Sequence, residues 1–217
     1  MKTIKIILIG VLTCFSAITY AQVYSTVNSA SRNAINSKES LSGLEGEAYL
    51  YKDYKKAFVR FANSKTSLYD IKYDQLGDEV VVKDEAGQEL TFSETVLEFK
   101  FQDDKRVFRN GFAPIGKNTE KSFYEVLFDG KVKYLTKVGK MIMETKGYNT
   151  AAVKKIVDDT QYFIVKQDGK PEVVKNNEKS ILSALGKPEL SAYVKTNKLN
   201  LKNNEDVAKL LVYNDSL

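Results

Sequence analysis

Alternation of apolar and polar side chains with a period of two most constrains the fold of this 217-residue chain. Aromatic and aliphatic residues at 69, 71 and 73 alternate with charged residues at 70, 72 and 74, and the segment 97–102 repeats the pattern. Successive side chains of a strand point to opposite faces, so this pattern is typical of antiparallel strands with one buried face. We therefore expect an antiparallel β domain over residues 45–175.

Turn signals between the apolar runs support this interpretation. Asp129-Gly130 and Asp168-Gly169 each separate two apolar-rich runs, and Glu85-Ala86-Gly87 makes a looser turn. Asp-Gly pairs in this position are typical of β-hairpins. Turn signals at this spacing predict roughly eight to ten strands in an antiparallel β-meander. The pattern leaves open whether the strands form an open sheet, a partial barrel or a sandwich.

The period changes to that of helices after about residue 176. Gly186 is placed to end a first helix, and Asn203 or Asn204 can cap a third. Three short helices cannot form a core of their own, so we expect the C-terminal segment 176–217 to pack on the sheet. Strands followed by helices predict the α+β class. The apolar stripes of the three helices lie at residues 181–185, 190–194 and 207–211.

The strand register can be extended from two of the turns. If Asp129-Gly130 is a two-residue turn, Glu125 lies opposite Tyr134 on an apolar face, and Lys137 lies on the other, solvated face. In the second hairpin Pro171 falls opposite Lys166. Because proline has no N–H to donate, we expect the strand from 170 to 175 to be an edge of the sheet, or its next neighbour to diverge from it.

The first 21 residues have the pattern of a secretory signal peptide. Lys2 and Lys5 precede an apolar run, and Ala21 is a small residue suited to cleavage. A lipoprotein signal using Cys14 and a retained anchor are the less favoured alternatives. We expect an exported protein, periplasmic or extracellular, with no integral membrane span after signal cleavage. The polar residues 22–44 predict a flexible lead-in.

The residue types that are missing limit the possible chemistry. The sequence has no histidine and no tryptophan, and Cys14 is its single cysteine. A Ser-His-Asp or Cys-His relay and the usual zinc, haem and iron–sulfur sites are therefore excluded, and we expect neither a metal nor a cofactor. The net charge of +5 is spread among acidic residues, so nucleic acid is not an expected partner. The composition favours a protein that is not an enzyme.

A carboxylate-dependent hydrolase is the alternative that the sequence leaves open. A carboxylate at Glu125 beside Tyr134 on an apolar face would have a raised pKa and could act as a general acid. The pattern offers no second carboxylate to complete a pair, and structural pairing with Tyr134 or a lysine is the more common arrangement.

Aromatic side chains are the candidates for ligand binding. The chain has 13 tyrosines and 11 phenylalanines, and period-two aromatics can line a groove or a barrel lumen, although they more often form the core of a sheet. The candidate ligand-binding residues are Tyr69, Tyr73, Phe99, Phe101 and Tyr134.

Two hairpin segments resemble a known group of proteins. The stretches SFYEVLFDGKVKY (122–134) and YFIVKQDGKPEVVKNNEKSILSAL (162–185), with LLVYN (210–214) near the end, resemble an uncharacterised exported β-rich protein family of Bacteroidetes-type bacteria, whose function is unknown. The resemblance implies an exported bacterial protein. It transfers no catalytic residue.

These observations favour a non-catalytic envelope or secreted protein that binds through its sheet. The expected partner is an envelope protein, another envelope component or an apolar small molecule. A carrier of an apolar molecule predicts an aromatic-lined cavity between sheet and helices. A protein-interaction module predicts a filled core and an exposed patch or open edge, with Lys170–Lys175 as the expected edge.

Overall fold

The computed structural model of the chain describes residues 27–28, 44–84, 86–146 and 152–217. The expected signal peptide and most of the expected lead-in lie outside the described residues. Within the lead-in, Val27–Asn28 forms a short strand that pairs with a strand of the sheet.

Twelve described strands precede three helices. The strands are β1 (Val27–Asn28), β2 (Leu44–Glu45), β3 (Lys55–Phe61), β4 (Thr66–Asp74), β5 (Glu79–Lys83), β6 (Glu89–Phe92), β7 (Val96–Phe101), β8 (Val107–Arg109), β9 (Tyr124–Asp129), β10 (Lys133–Thr145), β11 (Val153–Val165) and β12 (Pro171–Val174). The helices are α1 (Glu178–Leu185), α2 (Leu190–Thr196) and α3 (Asn204–Ser216).

The strands form one open sheet built from two meanders. Strands β3 to β6 lie side by side in chain order, each antiparallel to the one before it. Strand β7 then pairs with the edge of β3 that β4 leaves free. Strands β8 to β12 then continue the sheet in the opposite direction, while β2 pairs in parallel with β11. The sheet does not close, because β1 and β12 stand at its two ends. The predicted α+β class, with a large antiparallel sheet and three C-terminal helices, is confirmed.

Aromatic rings dominate the core of the N-terminal half of the sheet. Phe99 stacks on Phe108 with ring centroids 4.9 Å apart, and Tyr73 lies 5.2 Å from Phe99. This packing buries large apolar surfaces from strands that are distant in sequence. The first core cluster consists of Ala57, Val59, Phe61, Tyr69, Ile71, Tyr73, Val80, Val82, Leu90, Phe99, Phe101, Phe108 and Phe123.

A second core cluster lies between the sheet and the helices. Tyr134, Ile164 and Val174 supply its sheet side, and the apolar stripes of α1, α2 and α3 supply the other. The helix ends follow the sequence signals: Asn177 and Asn203 accept backbone N–H bonds at the starts of α1 and α3, and Gly186 ends α1 with a φ of 66°. Of the two candidate caps of the third helix, Asn203 is therefore the cap.

Strands β9 to β11 carry buried apolar side chains on both faces of the sheet, in the part that includes Tyr124, Tyr134 and Phe163. Leu135 and Phe163 pack with Tyr124 on the face opposite the helices, forming a third cluster. The ring of Tyr124 meets that of Phe163 edge-on at 5.2 Å. Together with the second cluster on the helix side, this third cluster packs both faces of β10 and β11 around Tyr134, Leu135 and Phe163.

The predicted register of the β9–β10 hairpin is wrong. Asp129 pairs with Lys133 across a three-residue loop, and a bulge between Tyr134 and Leu135 then brings Glu125 opposite Thr136. The physical reason lies in α3. The carboxylate of Asp215 accepts the Lys131 backbone N–H at 2.7 Å and lies where a Cβ on Gly130 would be, so a distant helix sets the loop length.

The β11–β12 hairpin is displaced by one residue from its predicted register. Val165, not Lys166, lies opposite Pro171. Gly169 adopts a φ of 74° and donates its N–H to the Lys166 carbonyl, so the loop takes five residues instead of two. The predicted edge is confirmed, since β12 is the last strand of the described sheet.

Candidate functional site

The five aromatic residues predicted for ligand binding lie in two separate cores. Tyr69, Tyr73, Phe99 and Phe101 belong to the first cluster, and Tyr134 belongs to the second. None is more than 9% exposed, and each contacts another ring, as Tyr134 does by stacking on Tyr162 at 5.9 Å. These side chains fill the cores and do not line a common groove.

Glu125 forms an ion pair with an arginine from the neighbouring hairpin. Arg106 donates Nε to one carboxylate oxygen and Nη2 to the other, both at 2.7 Å. The guanidinium also lies over the ring of Phe108 and bonds the Tyr51 hydroxyl. Glu125 lies opposite Thr136 and Phe108, so its expected position opposite Tyr134 is wrong. Both oxygens are engaged in a bidentate pair, the geometry of a structural anchor.

Lys137, expected on a solvated face, is instead buried. Its Nζ lies 2.7 Å from Asp78 Oδ2, 3.0 Å from the Phe123 carbonyl and 3.3 Å from the Tyr73 hydroxyl. An ammonium has three protons to donate, so this network uses all of them. Burial lowers the pKa of Lys137, and the facing carboxylate of Asp78 opposes that shift. Burial, followed by the charge of Asp78, raises the pKa of Tyr73 well above its ordinary value.

The Lys137 network joins the two meanders of the sheet. Asp78 belongs to the turn between β4 and β5, whereas Lys137 lies in the middle of β10. Gln75 of the same turn donates its side-chain amide to the Val138 carbonyl and accepts the Lys140 N–H. A small pocket of about 260 Å³ lies beside this junction. Its lysines are paired, Lys117 with Asp159 and Lys140 with Asp158, so the charges are balanced within the protein.

A long hairpin extends beyond this junction and carries four of the nine exposed large apolar side chains of the described residues. We call residues Gly139–Thr145 of β10 and Val153–Asp159 of β11 the arm. Its two strands pair residue by residue, from Gly139 opposite Asp159 to Thr145 opposite Val153. Apolar side chains are exposed on both of its faces: Met141 42%, Ile142 39%, Met143 44% and Val153 37%.

The arm has one covered edge and one open edge. Along β11, the short strand β2 pairs with Lys154 and Lys155, and Gly46 packs directly against the Ile156 backbone. Along β10, pairing with β9 ends at Thr136 and the Gln75 contacts end at Lys140. From Met141 to Thr145, no other strand of the described residues pairs with this edge.

The edge predicted from the sequence differs from the open edge of the arm. Strand β12 has only four residues, begins with Pro171 and is flanked by Lys170 and Lys175. Short length, proline and lysine are features that discourage pairing with another chain. The arm edge has no proline, and its three apolar residues Met141 to Met143 lie between Lys140 and Glu144. Its sequence signal is the run of three consecutive apolar residues, which breaks the period of two and must expose apolar surface on at least one face.

Other surface features offer less. The cleft between the hairpin turns and the helix ends has a volume of about 520 Å³ and is lined by charged groups, among them Lys131, Lys166 and Lys187. In the described ranges, histidine, cysteine, aspartate and glutamate side chains form no group of three suited to a metal ion. Within the same part of the chain, every helix is too short or too polar to cross a membrane.

Comparison with known proteins gives no relative for this chain. No family model matches it, and neither a curated protein nor a solved structure matches it.

Proposed function

We propose that this chain is a non-catalytic exported protein that binds another protein through the arm. The observation that carries the proposal is the exposure of apolar side chains on both faces of the arm, beside a strand edge with which no other described strand pairs. A partner in extended conformation can add a strand to such an edge, with main-chain hydrogen bonds giving affinity and side chains giving specificity. Exposed apolar surface of this kind marks interaction sites in soluble proteins.

The two alternatives have weaker support. A carrier of an apolar molecule needs an aromatic-lined cavity, whereas the candidate aromatic residues are engaged with one another in the core clusters. A hydrolase using Glu125 needs a carboxylate free to exchange a proton, whereas both of its oxygens bind Arg106.

Site-specific crosslinking in the producing cell tests the proposal. A photoreactive amino acid at position 142 of the full chain should give covalent adducts with protein. The matched control is position 173, because Val173 is also an exposed apolar residue on an edge strand. We expect strong adducts from 142 and few from 173. Equal yields at the two positions, or none at 142, would contradict the proposal.

Export is the second part of the proposal and rests on the charge and apolar pattern of residues 1–21. Fractionation of cells that express the full chain should place it outside the cytoplasm, with Gln22 as its first residue. A cytoplasmic chain that retains Met1 would overturn this part. A lipid-modified chain that begins at Cys14 would replace it by the lipoprotein alternative.

A further inference from the structure

We propose that the occupant of the open β10 edge is a second copy of this chain, which pairs through the same edge and forms a two-fold symmetric dimer. The inference rests on the proposed function, because it names the partner of the arm. Its basis is the sequence of the edge, Lys140-Met141-Ile142-Met143-Glu144. In a two-fold dimer the same patch must be complementary to itself.

Antiparallel pairing makes this five-residue segment self-complementary. With Ile142 opposite the partner's Ile142, each Met141 lies opposite a Met143 and each Lys140 opposite a Glu144. Residues opposite each other in an antiparallel pair share a face and interact directly. Apolar side chains therefore meet apolar ones at the centre, and unlike charges meet at both ends. A shift of two residues would instead place Ile142 opposite Lys140 or Glu144.

The complementarity extends to β11 in both copies. Within one chain, Lys140 lies opposite Asp158, Ile142 opposite Ile156 and Glu144 opposite Lys154. Each outer row across the dimer would then contain Asp158 and Lys140 of one copy, followed by Glu144 and Lys154 of the other. The charges along this row alternate in sign. The central row would contain four isoleucines, two from each copy. Alternating charge across such a row is favourable, whereas like charges opposite each other are destabilising.

The backbone of the arm presents its hydrogen-bonding groups in the same register. The Lys140 N–H donates to the Gln75 carbonyl at 3.3 Å, so the N–H of Lys140 points away from β11. Backbone groups of alternate residues in an antiparallel strand point the same way, so those of Ile142 and Glu144 also point outward. Ile142 opposite the partner's Ile142 is thus a hydrogen-bonded pair. At each end of the paired segment, the Glu144 N–H of one copy would also donate a hydrogen bond to the Lys140 carbonyl of the other copy.

The surrounding elements set the extent of the pairing. Gln75 occupies the β10 edge as far as Lys140, and β2 occupies the outer edge of β11. The second copy can therefore add only beside the segment from Met141 to Glu144 and at the Lys140 carbonyl, because the Lys140 N–H already binds Gln75. A short pairing of this kind predicts a reversible dimer, whose population rises with protein concentration.

Charge exchange at the two ends of the segment tests the dimer. Sedimentation velocity of the full chain, as the producing cell processes it, should show a concentration-dependent dimer. Glu144→Lys places lysine opposite Lys140 twice, and Lys140→Glu places glutamate opposite Glu144 twice. Each variant alone should dimerise about tenfold more weakly or worse, because symmetry doubles the effect of one change. An equimolar mixture of the two should form a heterodimer, since the facing pairs across the interface are again unlike, while the like-charged pairs with Asp158 and Lys154 inside each arm are the same as in the single variants.

The mixture separates lost pairing from a damaged arm, because a misfolded arm would not regain its partner. Val173→Lys on β12 is the control and should leave the dimer unchanged. A wild-type monomer at every concentration, or a mixture that stays monomeric, overturns the dimer. If position 142 then still crosslinks to a different protein, the proposed function stands while the dimer does not. If position 142 gives no adduct, both fail.

Discussion

Lys137 is a buried charge whose partners come from both meanders of the sheet. Its ammonium is held by Asp78 of the β4–β5 turn and by groups of Phe123 and Tyr73. Taking a lysine out of water is costly, and the cost is offset only when its partners are in place. The period-two pattern assigned Lys137 to a solvated face because the pattern of β10 contains no information on a turn some sixty residues earlier.

Removal of the Lys137 charge should destabilise the fold strongly. We expect Lys137→Met to lower the free energy of unfolding by about 3 kcal/mol, because the Asp78 carboxylate loses its buried partner. Urea denaturation at neutral pH measures the change. The double variant with Asp78→Asn should lose less than the sum of the two single changes, since the residues share one network. A loss below about 1 kcal/mol would mean that the pair behaves as a surface ion pair.

Tyr73 gives the same network a dependence on pH. Because burial and Asp78 raise its pKa, the folded protein keeps the phenolic proton above pH 10, where the unfolded chain releases it. The unfolded state then binds fewer protons, so this group makes stability fall as pH rises above its unfolded pKa of 10.0.

Comparison with Tyr73→Phe isolates this effect. At pH 7 the variant should be about 1–2 kcal/mol less stable, because it loses the hydrogen bonds of the hydroxyl. From pH 10 to 11 the difference from wild type should narrow by up to about 1 kcal/mol, because the unfolded tyrosine is already half ionised at pH 10. Urea denaturation at half-unit steps of pH follows both proteins. A difference that is constant through this range would show that Tyr73 ionises as freely in the folded state as in the unfolded one.

At the scale of elements, neighbouring asparagines at the start of α3 have different tasks. Asn203 accepts the Glu205 N–H and caps the helix, whereas Asn204 accepts the Asn176 amide and lies 3.0 Å from the Tyr134 hydroxyl. Asn203→Ala should cost about 1 kcal/mol and speed hydrogen exchange at the Glu205 amide. Asn204→Ala should cost about 1–2 kcal/mol while that amide stays protected. Equal exchange at Glu205 in the two variants would contradict this division.

The arm depends on β2 for its covered edge. Gly46 has a φ of 120°, and a Cβ there would lie 2.9 Å from the Ile156 carbonyl oxygen. Gly46→Ala should therefore separate β2 from β11 and speed hydrogen exchange at Lys154, whose N–H points away from β10. The matched control is Gly87→Ala, because Gly87 also has a positive φ of 79° but open space around it. Unchanged exchange in the arm of the Gly46 variant would show that β2 does not support it.

Local sequence signals predicted where helices begin and end better than they predicted which residues of neighbouring strands pair. Gly186 ends α1 and Asn203 begins α3 because caps act within a few residues of the chain. The β9–β10 register escaped prediction, since Asp215, from the end of the chain, determines the loop at Gly130. The exposed arm was missed for a different reason. A strand exposed on both faces has no buried side to impose a period of two.

At the scale of the whole molecule, one continuous sheet carries two main cores. The return of β7 to pair with β3 brings distant strands together, and no periodicity within either strand encodes that choice. Between the cores, β8 pairs with β9, and the Lys137 network ties the β4–β5 turn to β10. The third cluster fills the second face of β9 to β11. These links predict that the two main cores unfold together, as one cooperative unit.

Truncation of one side chain in each core tests this cooperativity. Phe99 is fully buried in the first cluster and Leu210 in the second. Phe99→Ala should cost about 3–5 kcal/mol and Leu210→Ala about 2–5 kcal/mol, because each leaves a cavity. Near-ultraviolet circular dichroism reports the packed aromatic rings, and the signal at 222 nm reports the helices. Within each variant the two signals should change at one common urea midpoint, lower than that of wild type, since loss of either core removes support from the shared sheet. If Leu210→Ala moved only the helical signal, the helices and their face of the sheet would be an independent folding unit, and the links through β9 and Lys137 would be too weak to couple the two cores.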